Sequence, residues 1–187
     1  MSSSPPTDEP TDEPTDGPTD EPGDGTDAAA SLGELLDAAA AGRLAGWHAL
    51  PAAATVATLT ALRPGAQPAR DLIGLLGQPA AGYRLEATPH APAGVVVWTQ
   101  HEQVTLVDVP GPELAAGELE ALGPPEATLP SGLGEALEQR LWPERGLILH
   151  VARATDRVAQ LYGHHAATLD QLRRSPLVAV RIERRPR

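Results

Sequence analysis

Cysteine, phenylalanine and lysine are all missing from this chain of 187 residues. Without cysteine it can form no disulfide, and it offers no thiolate nucleophile, zinc–thiolate site or iron–sulfur ligand. Without lysine it has no Schiff-base amine and no lysine-bearing phosphate loop, because all 14 of its strongly basic residues are arginine. Aromatic residues make up only 3%, which argues against base-stacking platforms and aromatic-lined sugar grooves, so nucleic acid is not an expected partner. No stretch approaches the ~20 apolar residues needed to cross a bilayer, and the first residues lack the basic, apolar and cleavage-site succession of a secretory signal. A cytoplasmic protein with no membrane partner is expected. The 41% of hydrophobic residues suffices for one globular domain of ordinary size or two very small ones.

The formal net charge of −11 is unevenly placed. Residues 1–27 contain nine acids and no base, whereas the remainder sets 16 acids against 14 arginines and is nearly neutral. The tail repeats Thr-Asp-Glu-Pro from Thr7, Thr11 and Thr19, with Thr-Asp-Gly-Pro from Thr15. A proline every fourth residue interrupts helical hydrogen bonding, the like charges repel, and no apolar side chain is available to bury. Residues 1–27 are therefore expected to be a disordered acidic tail. Such a tract acts as a solubilising extension or, alternatively, as an electrostatic arm toward a basic partner or the chain's own basic end. That end, Arg173 to Arg187, holds six arginines and one acid. It alternates with strand-forming residues, so it reads as a solvated strand edge. The Ala/Gly/Pro/Arg-rich usage resembles that of high-GC bacteria.

Residues 28–187 are expected to form a single α+β domain. Ser31 followed by Glu34 has the capping-box pattern and opens an apolar stripe through Leu32, Leu35, Leu36 and Leu44, predicting a helix over 32–43. Pro51 suits the first turn of a second helical segment, although the β-branched run Thr55–Thr60 is also compatible with extended chain. A third helix is predicted over Pro68–Leu76, ending at Gly77-Gln78-Pro79, and a fourth over Pro112–Leu122, ending at Gly123-Pro124-Pro125. Tyr83–Glu86, Val95–Trp98 and Val104–Val109 read as strands, the last two joined as a hairpin, and Gly146–Val151 with Val158–Tyr162 as a second hairpin. Thr168 with Gln171 is another capping box, and Leu177–Glu183 alternates like a strand with one wet face.

Gly77 precedes Trp98 much as Gly123 precedes Trp142, and an apolar run follows each tryptophan. The two stretches, about 68–110 and 112–162, read as an internal duplication at an offset of about 45 residues, against the alternative that Leu-Gly and proline recur by composition. Leu76-Gly77-Gln78-Pro79 with Trp98 and Val104–Val109, and Leu122-Gly123-Pro124-Pro125 with Trp142 and Leu147–Val151, resemble the repeat of β-lactamase inhibitor proteins and of small outer-membrane assembly lipoproteins. The resemblance implies helices packed on one face of an antiparallel sheet made of two related halves. The chain departs from those families in lacking cysteines, an export signal and an aromatic-rich face.

Candidate chemistry is sparse. His150, His164 and His165 lie near Glu144 and Asp156 in sequence, but no His-x-His or His-Glu-x-x-His spacing is present, so solvent-facing or turn histidines are expected rather than a metal site. Ser131 lacks a nucleophile elbow. Glu118/Glu120 and Glu135/Glu138 read as solvated helical faces, and Glu102 and Asp108 as residues on the wet side of a hairpin. Trp142-Pro143-Glu144-Arg145-Gly146 is the densest unusual cluster, a tight turn that either packs Trp142 into the core or presents Trp142, Arg145, Tyr162 and Trp98 as a recognition surface. The composite expectation is a non-enzymatic protein-binding module of inhibitor, immunity or accessory type, with no catalytic residues, cofactor or metal. The alternative is a small-molecule-binding protein or cofactorless enzyme, its pocket between sheet and helices lined by Trp98, Tyr83 and His150.

Overall fold

The computed structural model describes residues 24–69 and 81–178. Most of the acidic tail, the body and exit of the helix expected at Pro68–Leu76, and all of the last expected strand beyond Val178 lie outside those residues.

Helix α1 spans Asp24–Ala40 and starts well before the expected position. Ala28-Ala29-Ala30 has the highest helix propensity of any residue type and is continuous with the leucine stripe, so Ser31 and Glu34 lie inside the helix instead of capping it. Helix α2, Val56–Leu62, resolves the ambiguous β-branched run. The Thr55 side chain accepts the Thr58 N–H at 3.1 Å, and Leu59 is fully buried, so a cap and a buried contact outweigh the weak helix propensity of Val and Thr. The helix expected from Pro112 shrinks to α3, Glu118–Ala121. The amides of Glu113 and Ala115 donate to the carbonyls of His90 and Gly42, at 2.8 and 3.1 Å, and are thereby withdrawn from helical bonding. Its exit keeps the expected form, with Gly123 at φ 72° directly after the Leu122 cap. Helix α4, Leu169–Arg174, begins with the expected capping box between Thr168 and Gln171.

The strands are β1 Gln67–Ala69, β2 Ala81–Arg84, β3 Val96–Gln100, β4 Gln103–Pro110, β5 Ala127–Pro130, β6 Leu137–Trp142, β7 Leu147–Ala152 and β8 Val158–Gly163. They form one antiparallel sheet in the order β1-β2-β3-β4-β8-β7-β6-β5, so two consecutive four-stranded meanders meet through their last strands. Pro68 therefore stands in an edge strand and opens no helix; the outer side of an edge tolerates its missing N–H. Strands β5 and β6 were not expected. Glu138 and Arg140 look helical by composition, yet they alternate with inward Gln139 and Leu141. On β6, Glu138 meets Arg140 at 2.8 Å, so it is not part of a helical face.

Strand alternation sorts the core into two layers. On one face Val97, Val107, Val109, Leu147, Leu149 and Leu161 join Leu32, Leu35 and Leu36 of α1 and Leu59 of α2. On the other, Val96, Trp98, Leu106, Ile148 and Tyr162 join Leu172 of α4 and Val178. Helix thus covers both faces and not one, because the chain leaving β8 turns back across the side opposite α1. The two tryptophans that suggested the 45-residue offset do not correspond: Trp98 lies on β3, third strand of its meander, whereas Trp142 ends β6, second strand of the other, and the two rings belong to opposite layers.

Two turns differ in how they meet their backbone geometry. The β3–β4 hairpin closes on His101 and Glu102, both left-handed at φ 49° and 63°, a conformation that disfavours side chains. The β6–β7 turn instead places Gly146 at φ 59°, where a Cβ would stand 1.9 Å from the His164 carbonyl oxygen and 2.9 Å from the Ala49 Cα. In urea denaturation, E102G is expected to gain about 0.5–1 kcal/mol by relieving the hairpin strain. G146A is expected to lose at least ~3 kcal/mol or fail to fold. A G146A protein of unchanged midpoint would refute this packing.

Candidate functional site

A polar side chain inside an apolar strand must find partners or bear the cost of burial. On the α4 side of the sheet several such side chains fall in adjacent rows. Register pairs Asp108 of β4 with Tyr162 of β8, Gln160 of β8 with His150 of β7, and His150 with Gln139 of β6. Trp98 of β3 reaches the same group. Asp108 is 6% exposed, and His150 and Gln139 are each 2% exposed. The expectation that Asp108 faces water is thus overturned: Val107 and Val109 take the α1 layer, so alternation turns Asp108 into the other, equally covered layer.

The contacts divide into two subgroups. The Trp98 indole N–H donates to Asp108 Oδ2 at 3.3 Å, and the Gln160 amide donates to Oδ1. Burial pushes the Asp108 carboxyl up to about 6 in spite of these two donors, which oppose the shift. Ser131 Oγ lies 2.7 Å from His150 Nδ1 and accepts the Leu133 N–H at 3.0 Å. A hydroxyl oxygen has two acceptor lone pairs and one proton, so this contact fits either imidazole tautomer. The His150 ring meets Tyr162 edge to face, centroids 5.2 Å apart at 81°. Burial depresses the imidazole to about 4 and raises the Tyr162 phenol to about 12, the nearby Asp108 adding to the latter.

Two atoms of this row remain unsatisfied. His150 Nε2 and Gln139 Oε1 are buried without a hydrogen-bond partner among the described residues, on side chains that are register neighbours. A primary amide, which donates twice and accepts, could satisfy both in either tautomer.

The four residues expected to form a recognition surface are not brought together. Trp98 and Tyr162 share the α4-side layer and are 3% and 8% exposed; Trp142, at 7%, belongs to the α1-side layer. Arg145 is exposed beside Glu144 on the β6–β7 turn. Tyr83 packs on the α1 side, so it lines no common pocket with Trp98 and His150. His150 and His164 do not converge either, because His150 faces Gln160 while His164 bonds Gly146 at the opposite end of the hairpin. His150 and His164 are buried rather than solvent-facing. Among the described residues no group of three or more His, Asp or Glu side chains is placed to hold a metal ion, and no helix is long and apolar enough to cross a membrane.

Sequence reasoning missed the Ser131–His150 pair and Gln139. Asp108 and His150 did carry a signal: each is the lone polar residue in an apolar strand run, Leu-Val-Asp-Val and Leu-Ile-Leu-His-Val. Comparison with known protein families, with curated proteins and with solved structures yields no match to this chain.

Opposed titrations give a test. Between about pH 4 and 6 the folded chain keeps the Asp108 proton that the unfolded chain releases, so stability falls as pH rises through this window. His150 acts oppositely, since the unfolded chain takes up a proton below its ordinary 6.5 while the folded chain resists until about 4. The two trends offset each other in the native chain. D108N removes one, so its stability should fall by an additional amount on the order of 2 kcal/mol between pH 6.5 and 4, relative to wild type, in urea melts. Parallel profiles for D108N and wild type would count against the buried assignment.

Proposed function

We propose that this protein binds a small polar ligand on the α4-side face of its sheet, against the row formed by Trp98, Asp108, Gln160, His150 and Gln139. The observation that carries the reading is the pair of buried, unsatisfied atoms, His150 Nε2 and Gln139 Oε1, on neighbouring strands. Leaving such atoms unpaired costs about 1–3 kcal/mol each, and a ligand group that satisfies both recovers that cost on binding. Ser131 anchors the imidazole through Nδ1 and Tyr162 fixes the ring plane, so the pair is preorganised. Gln160 is only half-buried and offers the approach from solvent. Asp108, with a carboxyl near 6, offers an acceptor above that pH and a donor below it.

The same strand order supports reading the two meanders as related halves. Corresponding strands begin roughly 50–60 residues apart, and the last strand of each half forms the seam. On this reading the ligand row straddles the seam, using β3 and β4 of the first half and β6, β7 and β8 of the second.

A second reading, a protein-binding module of the inhibitor type, draws on the exposed Glu144 and Arg145 of the β6–β7 turn. It has lost its tryptophan anchors to the core, since Trp47, Trp98 and Trp142 are 4%, 3% and 7% exposed.

Native mass spectrometry of the full chain purified from its host separates these. A bound small molecule should be retained by wild type and by R145A and be lost from Q139L. Q139L should also be more stable than ligand-free wild type by about 1 kcal/mol, because it removes an unsatisfied acceptor. If Q139L captures the same molecule undiminished, or if only a stoichiometric protein sensitive to R145A is recovered, the small-ligand reading falls.

A further inference from the structure

On the opposite side of the molecule, where α1 gives way to the segment 43–48, the surface encloses a pocket of about 250 Å³. Its polar lining comes from Glu34, Arg43 and His48, and Trp47, Leu35 and Ala38 supply the apolar part. We propose that this pocket is a binding site for a free α-amino acid, its ammonium held between Glu34 and His48 and its carboxylate by Arg43. The inference is independent of the ligand row on the other face.

The His48 end carries the argument. His48 Nδ1 lies 3.0 Å from the Ala49 carbonyl oxygen, an acceptor only, so the neutral ring carries its proton there and presents Nε2 as a bare acceptor. That Nε2 is buried and has no hydrogen-bond partner among the described residues. Glu34 Oε2 stands 3.9 Å from it, too long for a hydrogen bond. Two acceptors at this separation are close enough for one ammonium to donate to both. An ammonium has three donors and matches this end better than a hydroxyl or a single N–H.

Arg43 supplies the other charge. Its guanidinium forms no hydrogen bond or ion pair with the described residues, although its charge acts on the neighbouring Glu118, whose Oε2 accepts from the amides of Leu44 and Ala45 at 2.5 and 2.7 Å. Those two bonds, with a smaller contribution from the Arg43 charge, hold Glu118 below its ordinary carboxyl value and pin the rim of the pocket. Trp47 fixes the floor. Its ring is wedged so closely on Gly163 that a Cβ there would stand 2.8 Å from the indole Cζ2. One acidic end, one basic end and an apolar wall in a volume below that usual for drug-sized ligands describe a compact zwitterion.

The test is calorimetric titration of the full chain with each of the twenty common α-amino acids, and with methylamine and acetate as half-ligands. At least one amino acid should bind, with both half-ligands at least tenfold weaker. E34Q and R43A alter exposed side chains and should keep the circular dichroism spectrum of wild type. Each should weaken the amino acid at least tenfold, and the His48 ring resonances should shift on binding to wild type. The proposal is overturned if no amino acid binds at millimolar concentration, if E34Q and R43A leave binding unchanged, or if methylamine binds as tightly as the amino acid. A His48 resonance that does not move on amino-acid binding also overturns it. Loss of binding by the two variants with the Q139L effect absent, or the reverse, separates this site from the row on the other face.

Discussion

The pairing of β4 with β8 is the constraint on which the rest of this molecule depends. Among the described residues, four register pairs, Val107 with Gly163 through Pro110 with Gln160, and the Gly111 amide donating to the Ala159 carbonyl join one meander to the other. They make both layers continuous: Val107, Val109 and Leu161 on the α1 side, Asp108 and Tyr162 on the α4 side. A slip of one residue would exchange the layers, sending Asp108 among the leucines of α1 and the valines into the polar row. The register is therefore enforced from both faces at once. The close approach of Trp47 to Gly163, beside Val107, locks its end.

The cost of that seam is a set of hydrogen-bonding groups kept from water. Asp108 is served by an indole and an amide, and His150 by a hydroxyl, so most of the row is neutralised by uncharged partners. Uncharged partners suit this environment, since an ion pair at the same depth would add a second desolvation penalty. The apolar contacts of Val96, Trp98, Leu106, Ile148, Tyr162 and Leu172 surround the row and offset the remaining deficit.

Much of the antiparallel sheet could be read from the sequence, because β3, β4, β7 and β8 are dense in Val, Leu and Ile and end at turn residues. The capping box at Thr168 and the Leu-Gly exit at Gly123 could be read for the same reason: both are local chemistry. What was hidden is tertiary. The amides of Glu113 and Ala115 bond to carbonyls distant in sequence, which shortened an expected helix; β6 carries the charges of an exposed helix on one face of a strand. The candidate row was half visible. Asp108 and His150 stood out as single polar residues in apolar runs, whereas Gln139 and Ser131 became meaningful only once β6 and the loop after β5 were set beside β7. Trp142 and Trp98 were drawn to one surface by their rarity, and strand parity sent them to opposite layers.

The two outermost strands among the described residues are the three-residue β1 and the four-residue β5, and each contains a proline, Pro68 and Pro130. A proline has no N–H to give, so an incoming chain seeking to extend the ladder at either of these strands meets a missing donor. An eight-stranded sheet rich in valine and leucine would otherwise invite end-to-end growth into fibrils. The prolines in these two strands weaken that template.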